Sequence, residues 1–186
     1  MKRGLVCLFV LVSTVPVLAM DHNPGDRHTA PVVDCEKLPP PLKMLVAAME
    51  RPGRKIEALA VRGSMVPLPL MPKIQRLDVA LRPAEEVTLT SVRMGKPDGW
   101  EDTFAGLLEL RVPQDGIYRI SASASTWIDV LSSDTAIPRM RPNHRLHRCG
   151  QVHKSIEFPL KKDDSYWLEL SNSKSPMLSL MITLEE

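Results

Sequence analysis

The chain has 186 residues, and its 24 Lys and Arg stand against 22 Asp and Glu, for a formal charge of +2. That length suits one domain. So even a balance excludes a general phosphate-tracking surface, which needs a concentrated basic field, and no nucleic-acid partner is expected.

Residues 1–19 read as an export signal. Lys2 and Arg3 form a positive n-region, Leu5 to Val12 an apolar core, and Val17-Leu18-Ala19 a small-residue cleavage pattern. The apolar run is too short to span a bilayer and ends at Pro16, so no membrane span is expected after its removal. The expected location is periplasmic or secreted. Loss of Lys2 and Arg3 would leave cations and anions equal. Cys7 sits inside the apolar run rather than at a lipidation site and would leave with the signal. Cys35 and Cys149 remain, and two cysteines in an exported chain predict a disulfide. The chain-entropy model gives so long a loop about 4–5 kcal/mol.

Cleavage after Ala19 would expose Met20-Asp21-His22. An α-amine, two amides and the His22 imidazole make a square-planar set for Cu(II) or Ni(II), wholly dependent on that cleavage. Residues 20–54 read as an extended Pro-rich lead-in followed by one short helix. Pro39-Pro40-Pro41 stiffens the approach, and Leu42, Leu45, Val46 and Met49 share a face at helical spacing. Pro52-Gly53 ends the pattern. The expected role is to cap an open sheet edge or barrel end.

Residues 55–186 change to a period of two. Alternating runs occur at Leu77–Leu81, Val87–Thr90, Leu108–Val112, Tyr118–Ala124, Val152–Phe158, Tyr166–Leu170 and Leu178–Leu184, after an imperfect start at Ile56, Leu59 and Val61. Each predicts a strand with one dry face. Pro113-Gln114-Asp115-Gly116 and Lys161-Lys162-Asp163-Asp164 are turn sequences. The fold class is therefore all-β: an antiparallel, jelly-roll-like β-sandwich with one short N-terminal helix. Its core is predicted to hold Leu108, Leu110, Tyr118, Ile120, Ile156, Phe158, Leu168, Leu170, Leu180 and Ile182.

The stretch from Leu110 to Ile120, with Phe158-Pro159-Leu160 and Tyr166-Trp167-Leu168-Glu169-Leu170 downstream, resembles the bacterial pre-peptidase C-terminal jelly-roll. That resemblance covers roughly residues 85–186 and implies a fold shared with many carbohydrate-binding sandwiches. Trp127-Ile128-Asp129-Val130, with His147-Arg148-Cys149-Gly150 and Lys154, is similar to a set of small exported bacterial proteins. Some of that set are labelled homogentisate 1,2-dioxygenases. Such chemistry needs a compact iron site of two histidines and a carboxylate. No H-x-H…E pattern stands on adjacent strands here, so that activity is not carried over.

Three clusters could carry chemistry. His144, His147 and His153 flank Cys149, and imidazole with thiolate suits Zn or Cu. The spacing matches no standard finger, a disulfide would withdraw Cys149, and a polar loop explains the run as well. Asp129 and Lys154 both fall in stretches that otherwise read as dry, so each needs a partner. The expectation is that they meet near the mouth of the sandwich, flanked by Trp127. Trp100, Trp127 and Trp167 could stack on sugar or simply pack. The ten methionines form no M-x-x-M series that would suggest copper handling. There is no nucleophile elbow, phosphate loop or calcium loop.

The function expected is a non-enzymatic module binding a cell-envelope glycan or protein partner, with no cofactor. Trp127, Asp129, Lys154 and Trp167 are its ligand-binding candidates. The alternative is a metal-binding protein or metal-dependent enzyme built on His144, His147 and His153, with His22 as a further ligand candidate. Open sheet edges are compatible with a homodimer.

Overall fold

Two sheets, stacked through one apolar core, account for most of the described chain. The computed structural model describes residues 34–63, 68–69, 76–91, 99–140 and 149–185. Everything described lies in one compact unit, Val32–Glu186. The proposed signal, His22, His144 and His147 fall outside the described residues.

In chain order the strands are β1 (Arg54–Glu57), β2 (Leu68–Pro69), β3 (Arg76–Ala80), β4 (Arg82–Pro83), β5 (Phe104–Arg111) and β6 (Gly116–Ala122). They continue with β7 (Trp127–Ser132), β8 (Thr135–Ala136), β9 (Lys154–Leu160), β10 (Ser165–Ser173) and β11 (Met177–Glu185). One helix, α1 (Pro40–Met49), precedes them. The five-stranded sheet runs β1-β3-β11-β6-β9, and the six-stranded sheet runs β2-β5-β10-β7-β8 with β4 also on β5.

Pairing is antiparallel except at two edges, where β1 lies parallel to β3 and β2 parallel to β5. The departure from a purely antiparallel expectation has a plain cause. After β1 the chain crosses between sheets: Ala58 N donates to Ala80 O in one, and Leu59 exchanges both backbone bonds with Leu107 in the other. A chain that leaves its sheet cannot return by a hairpin, so its next pairing there need not be antiparallel.

All ten residues predicted for the core lie in one cluster drawn from both sheets. The alternation behind them is the strand period, which puts Leu108 and Leu110 inward with Leu168 and Leu170 on the neighbouring strand. Residues 87–90 correct the reading. Val87–Thr90 forms no strand; after a single 3-10 turn at Ala84–Glu86 the chain runs as coil. This coil lies on the outer face of the six-stranded sheet, where Val87, Trp100, Ala105 and Leu107 make a second apolar cluster with half-buried Leu59, Leu89 and Trp167. An alternating pattern can serve a covering segment as well as a strand, because either needs only one dry side.

Helix α1 begins with Pro at its first positions, where the missing amide costs nothing. It caps neither an edge nor an end. It lies against the outer face of the five-stranded sheet, where Leu45, Ala48 and Met49 pack with Leu38, Cys149, Val152 and Met181. Cys35 and Cys149 form the predicted disulfide and join the segment before α1 to the turn before β9. In that turn Gly150 takes φ +58°, and a Cβ there would stand 2.6 Å from Val46 Cγ1, so the helix can approach only a glycine. Arg76 on β3 donates to the Met49 carbonyl at the end of α1 and, at 2.8 Å, to Gln151 Oε1. No helix among the described residues is long and apolar enough to cross a membrane.

Candidate functional site on the six-stranded sheet

Strand register sets the site. In β7 and β10, Trp127 lies opposite Ser171, Asp129 opposite Glu169, and Leu131 opposite Trp167. Ile128 and Val130 fill the core between them, so Trp127, Asp129 and Trp167 share the outer face. Two carboxylates directly opposite each other repel, and both are buried: Asp129 is 4% exposed and Glu169 1%. Such a pair persists only if donors surround it.

The covering coil and two arginines supply them. The backbone amides of Thr90 and Ser91 donate to the two Glu169 oxygens at 2.9 and 2.8 Å. Arg62 Nη2 reaches Glu169 Oε1 at 3.1 Å, while Nη1 bonds Asp134 and the Ser133 carbonyl. The Arg62 guanidinium lies 5.9 Å from the centre of the Trp167 ring, in cation–π range. Arg139 Nη2 donates to both Asp129 Oδ1 and the Ile128 carbonyl at 3.0 Å, and Ser91 Oγ reaches Asp129 Oδ2 at 3.3 Å.

The sequence candidates are distributed as follows. Asp129 and Trp167 belong to this network, and Trp127 stands at its open end, 37% exposed. Lys154 is on the other sheet, at the start of β9, buried on the core-facing parity it shares with Ile156 and Phe158. Its Nζ donates to the Thr126 carbonyl at 2.7 Å, so it ties the edge of one sheet to the residue before β7 in the other. The ion pair described at Asp129 is with Arg139. Trp100 is buried as packing. His153 is half-buried, its backbone amide on the Ala122 carbonyl, and Cys149 is in the disulfide. Among the described residues, no three His, Cys, Asp or Glu side chains gather where they could hold a metal ion.

Sequence reasoning missed Glu169, Arg62 and Arg139. Glu169 had a usable signal, since its strand parity puts it on the same side as Trp167. Arg62 and Arg139 sit in connecting segments, where no period predicts direction. Fold and site together define an all-β sandwich with a charged, aromatic-flanked outer sheet face. The chain matches no family model, and no curated protein is significantly similar to it.

Proposed function

We propose that the protein is an exported, non-enzymatic β-sandwich module that binds a cell-envelope glycan at the Trp127 end of the six-stranded sheet. One observation carries this reading. Trp127 presents a half-exposed ring from a rigid strand, beside an arginine pinned in place with donors to spare. Arg139 spends Nη2 on Ile128 and Asp129, and its Nε and Nη1 have no partner among the described residues. An apolar ring face next to a few fixed donors suits a sugar, which offers a C–H face and peripheral hydroxyls.

A non-enzymatic role is supported by the state of the carboxylates. General acid–base chemistry needs a carboxyl within reach of a substrate proton. Glu169 is held by two amides and Arg62, and Asp129 by Arg139 and Ser91. Export is supported by residues 1–19 and by the Cys35–Cys149 disulfide, a bond that persists in oxidising compartments.

The test is co-sedimentation with purified peptidoglycan sacculi and with envelope polysaccharide, comparing wild type with Trp127→Ala. Retention of wild type on at least one glycan, weakened roughly tenfold or more in the variant, is expected of an aromatic anchor. No retention of wild type, or equal retention of both proteins, overturns the reading.

A further inference from the structure

Trp127 is flanked on two sides by hydrogen-bonding groups of different kinds. On the β10 side its cross-strand neighbour is Ser171, which places the two Cβ atoms ~5 Å apart on one face. Ser171 is 5% exposed, and its Oγ makes no hydrogen bond among the described residues, the bond from Thr126 going to its carbonyl. On the other side, Ile137 and Arg139 donate to the Val130 and Ile128 carbonyls, along the β7 edge away from β10. The Arg139 side chain is 31% exposed there. A hydroxyl therefore stands on one flank of the indole and a guanidinium on the other.

These groups are fixed by the fold. Lys154 Nζ, from the five-stranded sheet, donates to the Thr126 carbonyl at 2.7 Å, and Thr126 Oγ1 donates to the Ser171 carbonyl at 2.8 Å. The residue before Trp127 is thereby tied across the sandwich and to the strand opposite. Between the Leu170–Gly106 and Ser173–Phe104 pairs β10 carries a bulge at Ser171 and Asn172, with Asn172 at φ +56°. Bulges of this kind re-aim side chains beside functional sites. A ligand meeting this face finds its contacts already ordered, which spares the cost of immobilising them.

The bonds Arg139 already makes decide which substituent fits. A guanidinium grips a carboxylate through two parallel N–H bonds, and Nη2 belongs to both of the forks that do so. Here Nη2 is spent on the Ile128 carbonyl and Asp129 Oδ1. Nε and Nη1 point apart, so each serves a single acceptor. The Asp129 carboxylate would also repel a second anion placed beside it. A trans secondary amide carries its carbonyl and its N–H on opposite sides, which matches a donor on one flank of Trp127 and a hydroxyl on the other. We propose that this face is selective for an uncharged N-acetylated amino sugar, with its ring and acetamido methyl on Trp127, its amide carbonyl on Arg139 and its amide N–H on Ser171 Oγ. The proposal rests on the glycan reading of the same face and specifies the sugar.

The experiment titrates disulfide-intact protein with three trisaccharides and follows the Trp127 indole N–H signal. Triacetylchitotriose, which is neutral and carries the acetamido group, should shift that signal saturably. Cellotriose has the same linkage with hydroxyls in place of acetamides and should bind at least roughly tenfold more weakly, since it leaves the flanking groups poorly matched. Trigalacturonate, which adds carboxylates, should be weaker by at least roughly the same factor. Ser171→Ala removes the hydroxyl and keeps the carbonyl that holds Thr126, so it should weaken triacetylchitotriose roughly fivefold without changing the fold. Equal or tighter binding of cellotriose or trigalacturonate overturns the proposal, as does a Ser171→Ala variant that binds triacetylchitotriose as wild type does. Sacculus retention that depends on Trp127, without a response to triacetylchitotriose, overturns the choice of sugar and leaves the glycan reading standing. Absence of both overturns the two together.

Discussion

The outer faces of the two sheets carry similar charge chemistry and are covered by different kinds of backbone. On the six-stranded sheet Asp129 and Glu169 face each other beneath a coil; on the five-stranded sheet Arg119 sits between Glu157 and Glu185 near a helix. The coil can turn its own amides onto a buried carboxylate, as Thr90 and Ser91 do, because neither residue belongs to a helix or ladder. A helix cannot. Beyond its first turn every amide is committed within it, and its spare groups are the terminal carbonyls. Arg76 finds one of these at Met49. Charges beneath α1 are therefore matched by side chains of the sheet, and the helix is held by a small apolar cluster and a covalent bridge. A coil solvates what it covers, whereas a helix has to be fastened.

The largest effect that could break this contrast is reduction of Cys35–Cys149. The bridge closes a loop of 114 residues, for which the chain-entropy model gives about 4–5 kcal/mol. Denaturant titration with and without reductant should show a loss of that order. Amide exchange should accelerate more across Pro40–Met49 than across β10. Undiminished protection of the helix in the reduced protein would mean that it adheres by packing alone.

Glu169→Ala should cost less, about 2–3 kcal/mol, because it leaves two backbone amides and Arg62 Nη2 without their acceptor. Exchange at Thr90 and Ser91 should rise sharply while the amides of α1 keep their protection. Equal acceleration on both faces would show that the two coverings are not independent.

The smallest effect is in acid. Burial pushes the Asp78 carboxyl up, but donation from Arg76, Ser179 and the Gly53 amide outweighs it, and the group lies below the ordinary carboxylate range. A value lowered by folding contributes stability above the unfolded value, and that stability disappears as pH falls through the folded one. The window lies below about pH 4. Asp78→Asn should lower stability at neutral pH by about 1 kcal/mol or less and flatten this part of the acid limb. Parallel acid limbs for variant and wild type would remove Asp78 from the account of how the helix end is fastened.

Local pattern was enough for the architecture. Alternation at Leu108, Leu110, Leu168 and Leu170 dictates which side of each strand is dry, and burial of that side needs a second sheet. The helix was legible because Pro40, Pro41 and Pro52-Gly53 bound a single apolar face. The two cysteines had each other as partners. Asp129 and Lys154 stood out in the sequence as charges on strands that otherwise read as dry, but who satisfies them did not. Asp129 finds Arg139 on a connecting segment, and Lys154 finds a main-chain carbonyl, a partner invisible in any residue pattern. Strand periodicity encodes direction only along a ladder. The covering coil over Glu169, the parallel edges and the placement of α1 on a sheet face all depend on how segments cross between sheets. Only the assembled tertiary structure decides that, because the partners are brought together by packing from positions far apart in the chain.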